Sequence, residues 1–181
     1  MNVKTILLAG VPASGKSTIF REVRDKLFDI QIPFKYKKLR GIRNENGRIQ
    51  MLGVFDNSKH EGTDKLSMTV IDDALEYIKS LEPGFKKVVL LEGDRLLNER
   101  FIEETKAEVI IIEASKYTLL KRHIERKDNQ PETFLKRCET KVSNIKQKYG
   151  VTPYRNNTPT DKDYIVKLIT DKVIEWITKN T

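Results

Sequence analysis

Apolar and polar positions alternate between two periods along this chain. Short runs of aliphatic and β-branched residues, typical of strands, are separated by longer segments whose apolar residues recur every three or four positions, as in amphipathic helices. This alternation predicts an α/β fold with a mostly parallel sheet. The predicted strands are Val3–Ala9 and residues 34–42, 49–55, 88–91 and 109–112. The predicted helices are residues 17–28, 64–81, 98–105, 115–125, 131–149 and 161–179.

Turn and cap residues indicate where several of these elements begin and end. Residues 44–47 read Asn-Glu-Asn-Gly, which is typical of a turn and predicts a hairpin between the second and third strands. Asn98 and Ser115 are good N-caps for the helices that follow them, because their side-chain oxygens can accept from free backbone N–H groups. Thr63 or Asp64 is the natural N-cap of the helix predicted over 64–81.

Composition restricts the class of protein. The chain has 181 residues, 38% hydrophobic and 33% charged, and no linker composition divides it. We therefore expect one folded domain over residues 1–181 rather than a disordered chain. The apolar runs fall far short of the ~20 residues that span a bilayer, so we expect no membrane partner, and the N-terminus lacks the pattern of a signal peptide. The single cysteine, Cys138, excludes an internal disulfide and fits a cytoplasmic protein.

The segment after the first strand carries the clearest chemical signal. Gly10-Val-Pro-Ala-Ser-Gly-Lys16-Ser17-Thr18 matches the G-x-x-x-x-G-K-[ST] pattern of phosphate-binding loops, or P-loops. Glycines let backbone N–H groups point at phosphate oxygens, and the helix N-terminus beneath adds partial positive charge. Lys16 is expected to reach the β- and γ-phosphates, and the Ser17 hydroxyl to ligate Mg²⁺. The pattern predicts ATP and Mg²⁺ as cofactors.

The residues expected to bind ATP come from two segments. The P-loop supplies most of them, and Asn157 lies in a loop before the last helix that resembles the adenine-contacting loop of nucleotide kinases. The structural alternative for Asn157 is a turn residue, because Asn side chains form hydrogen bonds with nearby backbone in turns. The predicted nucleotide-binding residues are Gly10, Ala13, Ser14, Gly15, Lys16, Ser17, Thr18 and Asn157.

Acidic and basic residues follow the strand predicted over 88–91. The carboxyl end of a strand is where ligands bind in open α/β sheets. Glu92 or Asp94 is therefore expected, with Ser17, in the Mg²⁺ shell, and Arg95 in contact with a substrate phosphate. A strand-ending turn with a solvated salt bridge is the structural alternative.

Two arginines predict a lid. Arg122 and Arg126 are four residues apart and so share one helix face. Small P-loop kinases carry such arginines between the last strands, where they close over the transferring phosphoryl group and stabilise its charge. We expect a helical lid at about residues 121–140, and a solvated basic helix face is the alternative.

The acceptor side of such an enzyme needs a carboxylate, which positions and deprotonates the acceptor hydroxyl. Asp56 and Asp64 are the candidates, although Asp64 has the alternative role of helix cap. Residues 35–48 contain six basic residues and one acidic residue, with aromatic residues interleaved. This composition suits a nucleic-acid strand, although a solvated basic hairpin is the alternative. The candidate substrate-binding residues are Lys37, Arg40 and Arg43, together with Arg95.

Several functions fit these residues. A nucleoside monophosphate kinase would use the arginines to hold the phosphate of its acceptor, and a polynucleotide 5′-hydroxyl kinase would use the basic segment to hold a strand end. A nucleotide-binding switch without catalysis is a third possibility. All of them share the expected architecture, a three-layer P-loop kinase-type α/β sandwich with an arginine-bearing lid, and the oligomeric state is left open.

Several sequence blocks resemble a group of small phage P-loop kinases that act as 5-hydroxymethyluracil DNA kinases in thymidine hypermodification. Besides the P-loop, these blocks are Leu-Gly-Val-Phe-Asp at 52–56, Glu-Gly-Thr-Asp-Lys-Leu-Ser at 61–67, Leu-Glu-Gly-Asp-Arg-Leu at 91–96 and the lid series at 126–142. The resemblance covers roughly residues 5–160. The residues in the matching blocks are Lys16, Ser17, Asp56, Asp64, Asp94, Arg95, Arg122 and Arg126.

The resemblance implies a specific reaction and setting. The γ-phosphate of ATP would pass to the hydroxymethyl group of the modified base in DNA, so DNA containing that base would be the partner. A phage-encoded protein of this kind would work in the host cytoplasm. The net charge of +8 is weaker support for DNA, because part of the excess positive charge would serve ATP.

Overall fold

The computed structural model describes residues 2–55, 62–127 and 130–179. The strands are β1 (Val3–Ala9), β2 (Ile32–Tyr36), β3 (Leu39–Arg43), β4 (Ile49–Leu52), β5 (Lys87–Glu92), β6 (Glu108–Glu113) and β7 (Tyr154–Arg155). The helices are α1 (Lys16–Leu27), α2 (Ile71–Ser80), α3 (Glu99–Thr105), α4 (Lys116–Arg126), α5 (Glu132–Tyr149) and α6 (Pro159–Thr178), with a 3₁₀ turn at Thr63–Lys65. Each helix in the described part of the chain is too short or too polar to cross a membrane.

The seven strands form one sheet in the order β2–β3–β4–β5–β1–β6–β7. The five strands from β4 to β7 in that order run parallel, and β2 and β3 extend the β4 side as antiparallel strands. Successive side chains of a strand point to opposite faces. In β1, Leu7 packs in the cluster shared with α2, α3 and α5, whereas Ile6 and Leu8 pack in the cluster shared with α1 and α6. Helices therefore cover both faces, which confirms the predicted α/β class with a mostly parallel sheet and is compatible with three layers.

Cap positions agree with the sequence at several helices. The Asn98 side chain accepts from the Phe101 N–H at the start of α3, and the Ser115 side chain accepts from the Thr118 N–H at the start of α4. Gly150 adopts the left-handed conformation that ends α5. The hairpin predicted at residues 44–47 is confirmed, because β3 and β4 pair antiparallel on either side of it.

Three predicted elements are wrong in extent. The strand predicted over 49–55 ends at Leu52. The strand predicted over 34–42 is a second hairpin, β2 and β3, whose turn contains Lys37 at a φ of 51°. The helix predicted over 64–81 begins only at Ile71, with Val70 in the N-cap position, so neither Thr63 nor Asp64 caps it. Leu66 and Val70 are buried in the core before that helix starts, and their spacing therefore imitates a longer helix.

The topology brings the functional segments together. The parallel strands β1, β4, β5, β6 and β7 all end at one edge of the sheet, which we call the carboxyl edge. Ligands of open α/β sheets bind in the crevice outside this edge. The segments that follow these five strands hold most of the residues discussed below.

Candidate functional site

The loop between β1 and α1, residues 10–15, makes close backbone contacts that require glycine at two positions. Gly10 and Gly15 have φ values of 154° and 99°. A Cβ on Gly10 would lie 2.5 Å from the carbonyl oxygen of Ile112 in β6, and a Cβ on Gly15 would overlap the side-chain nitrogen of Asn156. The glycine spacing of the sequence motif therefore has a steric cause in this structure.

Two side chains from the C-terminal half of the chain donate hydrogen bonds to carbonyl oxygens of this loop. The Asn156 side-chain amide donates to the Ser14 carbonyl oxygen at 2.7 Å. The Arg122 guanidinium donates to the carbonyl oxygens of Ala13 and Ser14 at 3.2 and 3.1 Å, and also to the Asn156 carbonyl oxygen at 2.9 Å. Because C=O and the next N–H point in opposite directions across a planar trans peptide, the anchored Ser14 carbonyl directs the Gly15 N–H away from these two side chains.

The predicted lid arginines therefore have different environments. Arg122 contacts the β1–α1 loop, and burial lowers the pKa of its guanidinium, with the charge of Arg126 adding to the effect. Arg126 is exposed at the end of α4. Of the predicted lid, residues 121–140, the structure describes all but 128 and 129.

Asn157, predicted to bind the nucleotide, joins two helix starts. Its side-chain oxygen accepts from the Ser115 N–H at 2.7 Å, and its own N–H donates to the Asp161 carboxylate at 2.9 Å. The neighbouring Asn156 is 2% exposed and is the one that contacts the β1–α1 loop. Sequence reasoning named the segment but missed Asn156, because the two-residue strand β7 that precedes it was not predicted from the sequence.

Lys16 and Glu92 form the charged centre of the site. The Lys16 ammonium donates to the Val11 carbonyl oxygen at 3.0 Å, at the mouth of the β1–α1 loop. Glu92 ends β5, the strand beside β1, and is only 2% exposed. Burial raises the pKa of the Glu92 carboxyl to about 7, with Asp64 adding to the rise and Lys16 opposing it. One carboxylate oxygen, Oε2, has no hydrogen-bond partner among the described residues.

Two of the three predicted Mg²⁺ ligands lie together in the structure, and the third does not. Ser17 and Glu92 line the same narrow pocket, and their hydroxyl and carboxylate oxygens are ligands that Mg²⁺ prefers. The unpartnered, buried Glu92 oxygen fits a site completed by a cation. Asp94 instead forms an ion pair with Lys141 at 2.9 Å, and Lys141 also donates to the Asp94 carbonyl oxygen at 2.8 Å.

The described residues contain no group of three or more His, Cys, Asp or Glu side chains suited to holding a metal. Mg²⁺ does not require one, because it is usually held by one or two carboxylates together with waters and substrate phosphates. Ser17 and Glu92 are therefore sufficient protein ligands for a nucleotide-bound ion.

Asp64 is fixed beside the end of β5. Its carboxylate accepts from the Asp94 N–H at 3.2 Å, and its carbonyl oxygen accepts from the Arg95 guanidinium at 2.9 Å. Gly93, at a φ of 98°, allows this approach, because a Cβ there would lie 2.8 Å from the Asp64 carboxylate. Since α2 begins at Ile71, the alternative role of Asp64 as its cap is excluded.

The other two acceptor-side candidates, Asp56 and Arg95, provide less evidence for an acceptor site. Asp56 lies outside the described residues. Arg95, expected to contact a substrate phosphate, is turned toward Asp64, and its Nε is buried with no hydrogen-bond partner among the described residues.

Two of the three basic candidates in the β2–β3 segment face α2. Lys37 forms an ion pair with Glu76 of α2. Arg43 lies near Tyr77 of the same helix: burial raises the pKa of the Tyr77 hydroxyl to about 12, and the Arg43 charge opposes this rise. Both residues therefore have neighbours on the α2 side of the sheet.

The third candidate, Arg40, faces the opposite side. Ile42 pairs with Met51, and both lie in the core cluster shared with α1 and α6. Because side chains two residues apart share a face, Arg40 points to the α1 side. The structure therefore does not bring Lys37, Arg40 and Arg43 together.

The aromatic residues of the same segment are used in packing. Phe34 stacks on Tyr77 with ring centroids 5.0 Å apart, and Tyr36 packs on the same ring at 5.3 Å. These two rings dock the hairpin on α2, which accounts for the aromatic residues among the basic ones.

Sequence reasoning missed two arginines that line the Glu92 pocket. Arg21 and Arg24 of α1 share this pocket with Phe55. Their signal was helical spacing, since three residues in a helix span one face, but nothing in the local sequence distinguishes them from solvated residues.

No protein-family model matches the chain, and no curated protein sequence is significantly similar to it. We therefore infer a function from the geometry of the carboxyl edge and from the sequence motifs.

Proposed function

We propose that this protein is an ATP-dependent phosphotransferase that moves the γ-phosphate to a hydroxyl of a nucleic-acid acceptor, namely the 5-hydroxymethyl group of 5-hydroxymethyluracil in phage DNA. One observation carries the proposal. At the carboxyl edge, the glycine-shaped loop with Lys16 lies next to the buried Glu92, and Asp64 is fixed at the end of the same strand.

The donor side would bind ATP through backbone N–H groups and positive charge. The β1–α1 loop and the N-terminus of α1 offer N–H groups and partial positive charge to phosphate oxygens. Lys16 would exchange the Val11 carbonyl for the β- and γ-phosphates. Mg²⁺ held by Ser17 and Glu92 would neutralise phosphate charge. Arg126, at the exposed end of α4, would reach the transferring group when the lid closes.

The acceptor side would supply a base. In our proposal Asp64 accepts the hydroxyl proton while the acceptor oxygen forms a bond to the γ-phosphorus. The bond between that phosphorus and the bridging oxygen of ADP breaks, and ADP leaves with the electron pair. Positioning and charge stabilisation carry most of the catalysis in phosphoryl transfer, which agrees with a site made of few, fixed groups.

The acceptor is proposed from the motif blocks at 52–56, 61–67 and 91–96, which resemble 5-hydroxymethyluracil DNA kinases. A phosphate-rich partner is supported by exposed basic residues near the site.

A labelled-transfer assay tests the proposal. ATP labelled in the γ-phosphate is offered separately with mononucleotides, with an oligonucleotide bearing a free 5′-hydroxyl, and with 5′-blocked duplexes containing 5-hydroxymethyluracil or thymine. We expect label only in the duplex with the modified base. Label found only in mononucleotides, or only at 5′ ends, would show that the acceptor is a mononucleotide or a strand end rather than the modified base. ATP binding without transfer to any acceptor would contradict the enzyme and favour a nucleotide-binding switch.

A further inference from the structure

Four basic residues on the α1 side of the sheet form a feature that the donor site does not use. They are Arg21 and Arg24 of α1, Lys35 of β2 and Arg40 of β3, and we call them the basic strip. Arg21, Lys35 and Arg40 are exposed. The strip begins at the pocket of Glu92 and extends to the edge of the sheet.

The α1 half of the strip opens directly onto the site. Arg21 and Arg24 line the pocket that also contains Ser17 and Glu92. Phe55 forms another wall of this pocket and stacks on Phe20 of α1 with ring centroids 6.3 Å apart. Arg24 donates to the neighbouring Asp25 at 3.0 Å. An anion bound to these arginines would therefore lie beside the proposed point of transfer.

The hairpin half of the strip places like charges opposite each other. Lys35 and Arg40 are directly paired across β2 and β3, so their side chains share a face. Like charges directly opposite on an antiparallel pair are destabilising. A shared anion would remove this cost. The Gly53 N–H donates to the Arg40 carbonyl oxygen at 2.9 Å, which places this pair beside the chain leading to Phe55.

The length of the strip indicates which kind of anion can contact all of it. Three strand spacings separate β5 from β2, a distance of about 14 Å at the usual spacing. Phosphates recur about every 3.4 Å of axis along each strand of DNA, so a strand can contact both ends of the strip at once. A mononucleotide in the Glu92 pocket would contact only the α1 half.

We infer that the basic strip binds the phosphate backbone of the acceptor DNA strand and directs that strand to the Glu92 pocket. This inference rests on the proposed function for the identity of the strand as substrate. It also assigns the acceptor side to the face that holds Arg40 rather than the face that holds Lys37 and Arg43.

Equilibrium DNA binding tests the inference without ATP. Fluorescence anisotropy of a labelled duplex containing 5-hydroxymethyluracil is measured at several salt concentrations for the wild type and for Lys35→Glu/Arg40→Glu, which leaves the Glu92 pocket intact. The matched control is Lys26→Glu/Lys106→Glu, which makes the same change of net charge at two exposed lysines outside the strip. A third variant, Lys37→Glu/Arg43→Glu, changes the other face of the hairpin. Thermal melting and binding of a fluorescent ATP analogue show that each variant is folded.

We expect the strip variant to bind DNA at least about 10-fold more weakly at low salt, with a salt slope shallower by about 2, while ATP binding is retained. The lysine control should stay within about twofold of the wild type, because exposed charges that contact no phosphate act only through screened attraction. Equal losses in the strip variant and the lysine control would overturn the inference, and so would a larger loss in Lys37→Glu/Arg43→Glu or no DNA binding by the wild type.

The transfer assay separates this inference from the proposed function. Strip-dependent DNA binding without phosphate transfer would refute the kinase and leave the DNA site standing. Transfer to DNA that is unaffected by the strip variant would refute the strip and leave the kinase standing.

Discussion

The two sides of the carboxyl edge are built in different ways. On the side of the proposed phosphate donor, called the donor side, side chains bind backbone: Arg122 and Asn156 donate to the carbonyl oxygens of Ala13 and Ser14, and glycine is required where the loop contacts its neighbours. On the side of the proposed acceptor, called the acceptor side, backbone binds a side chain, since the Asp94 N–H donates to the Asp64 carboxylate. Backbone N–H groups suit a phosphate, whereas a fixed carboxylate suits the proposed transfer of a proton.

The largest expected effect is on the donor side. Lys16→Ala removes the only side-chain charge of the phosphate-binding motif, and we expect transfer to every acceptor to fall by about 1,000-fold or more. Labelled-ATP transfer measures it. Lys26→Ala, on the exposed face of the same helix, is the matched control and should keep full activity. Comparable activity in the two variants would remove Lys16 from the mechanism.

The next effect is on the acceptor side. Asp64→Asn keeps the shape of the side chain but removes the base, so kcat should fall by about 100-fold or more while ATP affinity is unchanged. Asp29→Asn, an exposed aspartate after α1, is the control. Steady-state kinetics with separate ATP binding provides the readout. A loss of ATP affinity in place of kcat would move Asp64 to the donor side.

A smaller effect separates steric overlap from backbone strain in the donor loop. Gly15→Ala places a Cβ against Asn156 at a φ of 99°, whereas Gly84→Ala has a φ of 98° and only the Lys87 ammonium 3.9 Å from its Cβ. Each substitution carries strain of about 1 kcal/mol or more, but only Gly15→Ala should also weaken ATP binding, by about 10-fold. Thermal melting and ATP titration distinguish the two. Equal ATP affinity in both variants would show that the loop tolerates a side chain.

The last effect is on stability rather than on ATP binding or transfer: a pH dependence at Glu92. Its pKa of about 7 in the folded state lies above its ordinary value of 4.5. Between these pH values the folded protein retains a proton that the unfolded chain releases, so the contribution of Glu92 to stability falls as pH rises from 4.5 to 7. The loss is at most about 3 kcal/mol.

Glu92→Gln removes this titration. We expect the melting temperature of the variant, relative to the wild type, to rise by about 5–10 °C between pH 5 and pH 7.5 in the absence of Mg²⁺. A difference that is constant across this range would mean that the Glu92 carboxyl titrates normally.

The sequence predicted the parts of the fold that depend on local pattern. The apolar strand Val3–Ala9, the caps Asn98 and Ser115 and the turn at 44–47 are each determined by residues close in the chain. The start of α2 was wrong because Leu66 and Val70 are buried by the core rather than by a helix. Burial by distant elements produces the same spacing as a helix, and periodicity alone cannot separate the two.

In the site, the residues that belong to sequence motifs were predictable, and the residues that depend on distant contacts were not. The glycines, Lys16 and Ser17 follow from motif spacing, and Glu92 from its place after a buried strand. The role of Asn156 depends on a contact with Ser14 that spans 142 residues, which single-sequence patterns do not reveal. Strand alternation alone separates Arg40 from Lys37 and Arg43, because each lies three residues away from it. The turn of the β2–β3 hairpin was not predicted, and it is this turn that places Phe34 and Tyr36 on the face opposite Arg40.

Nucleoside analysis of the labelled product is the most direct test of the proposed phosphate transfer. A 5′-blocked duplex with one 5-hydroxymethyluracil is incubated with the protein, Mg²⁺ and γ-labelled ATP, then digested to nucleosides, and the labelled species is identified by mass spectrometry. We expect one product, the nucleoside phosphorylated on its hydroxymethyl oxygen, and none from the matched thymine duplex. Release of free labelled phosphate with no labelled nucleoside from either duplex would contradict it.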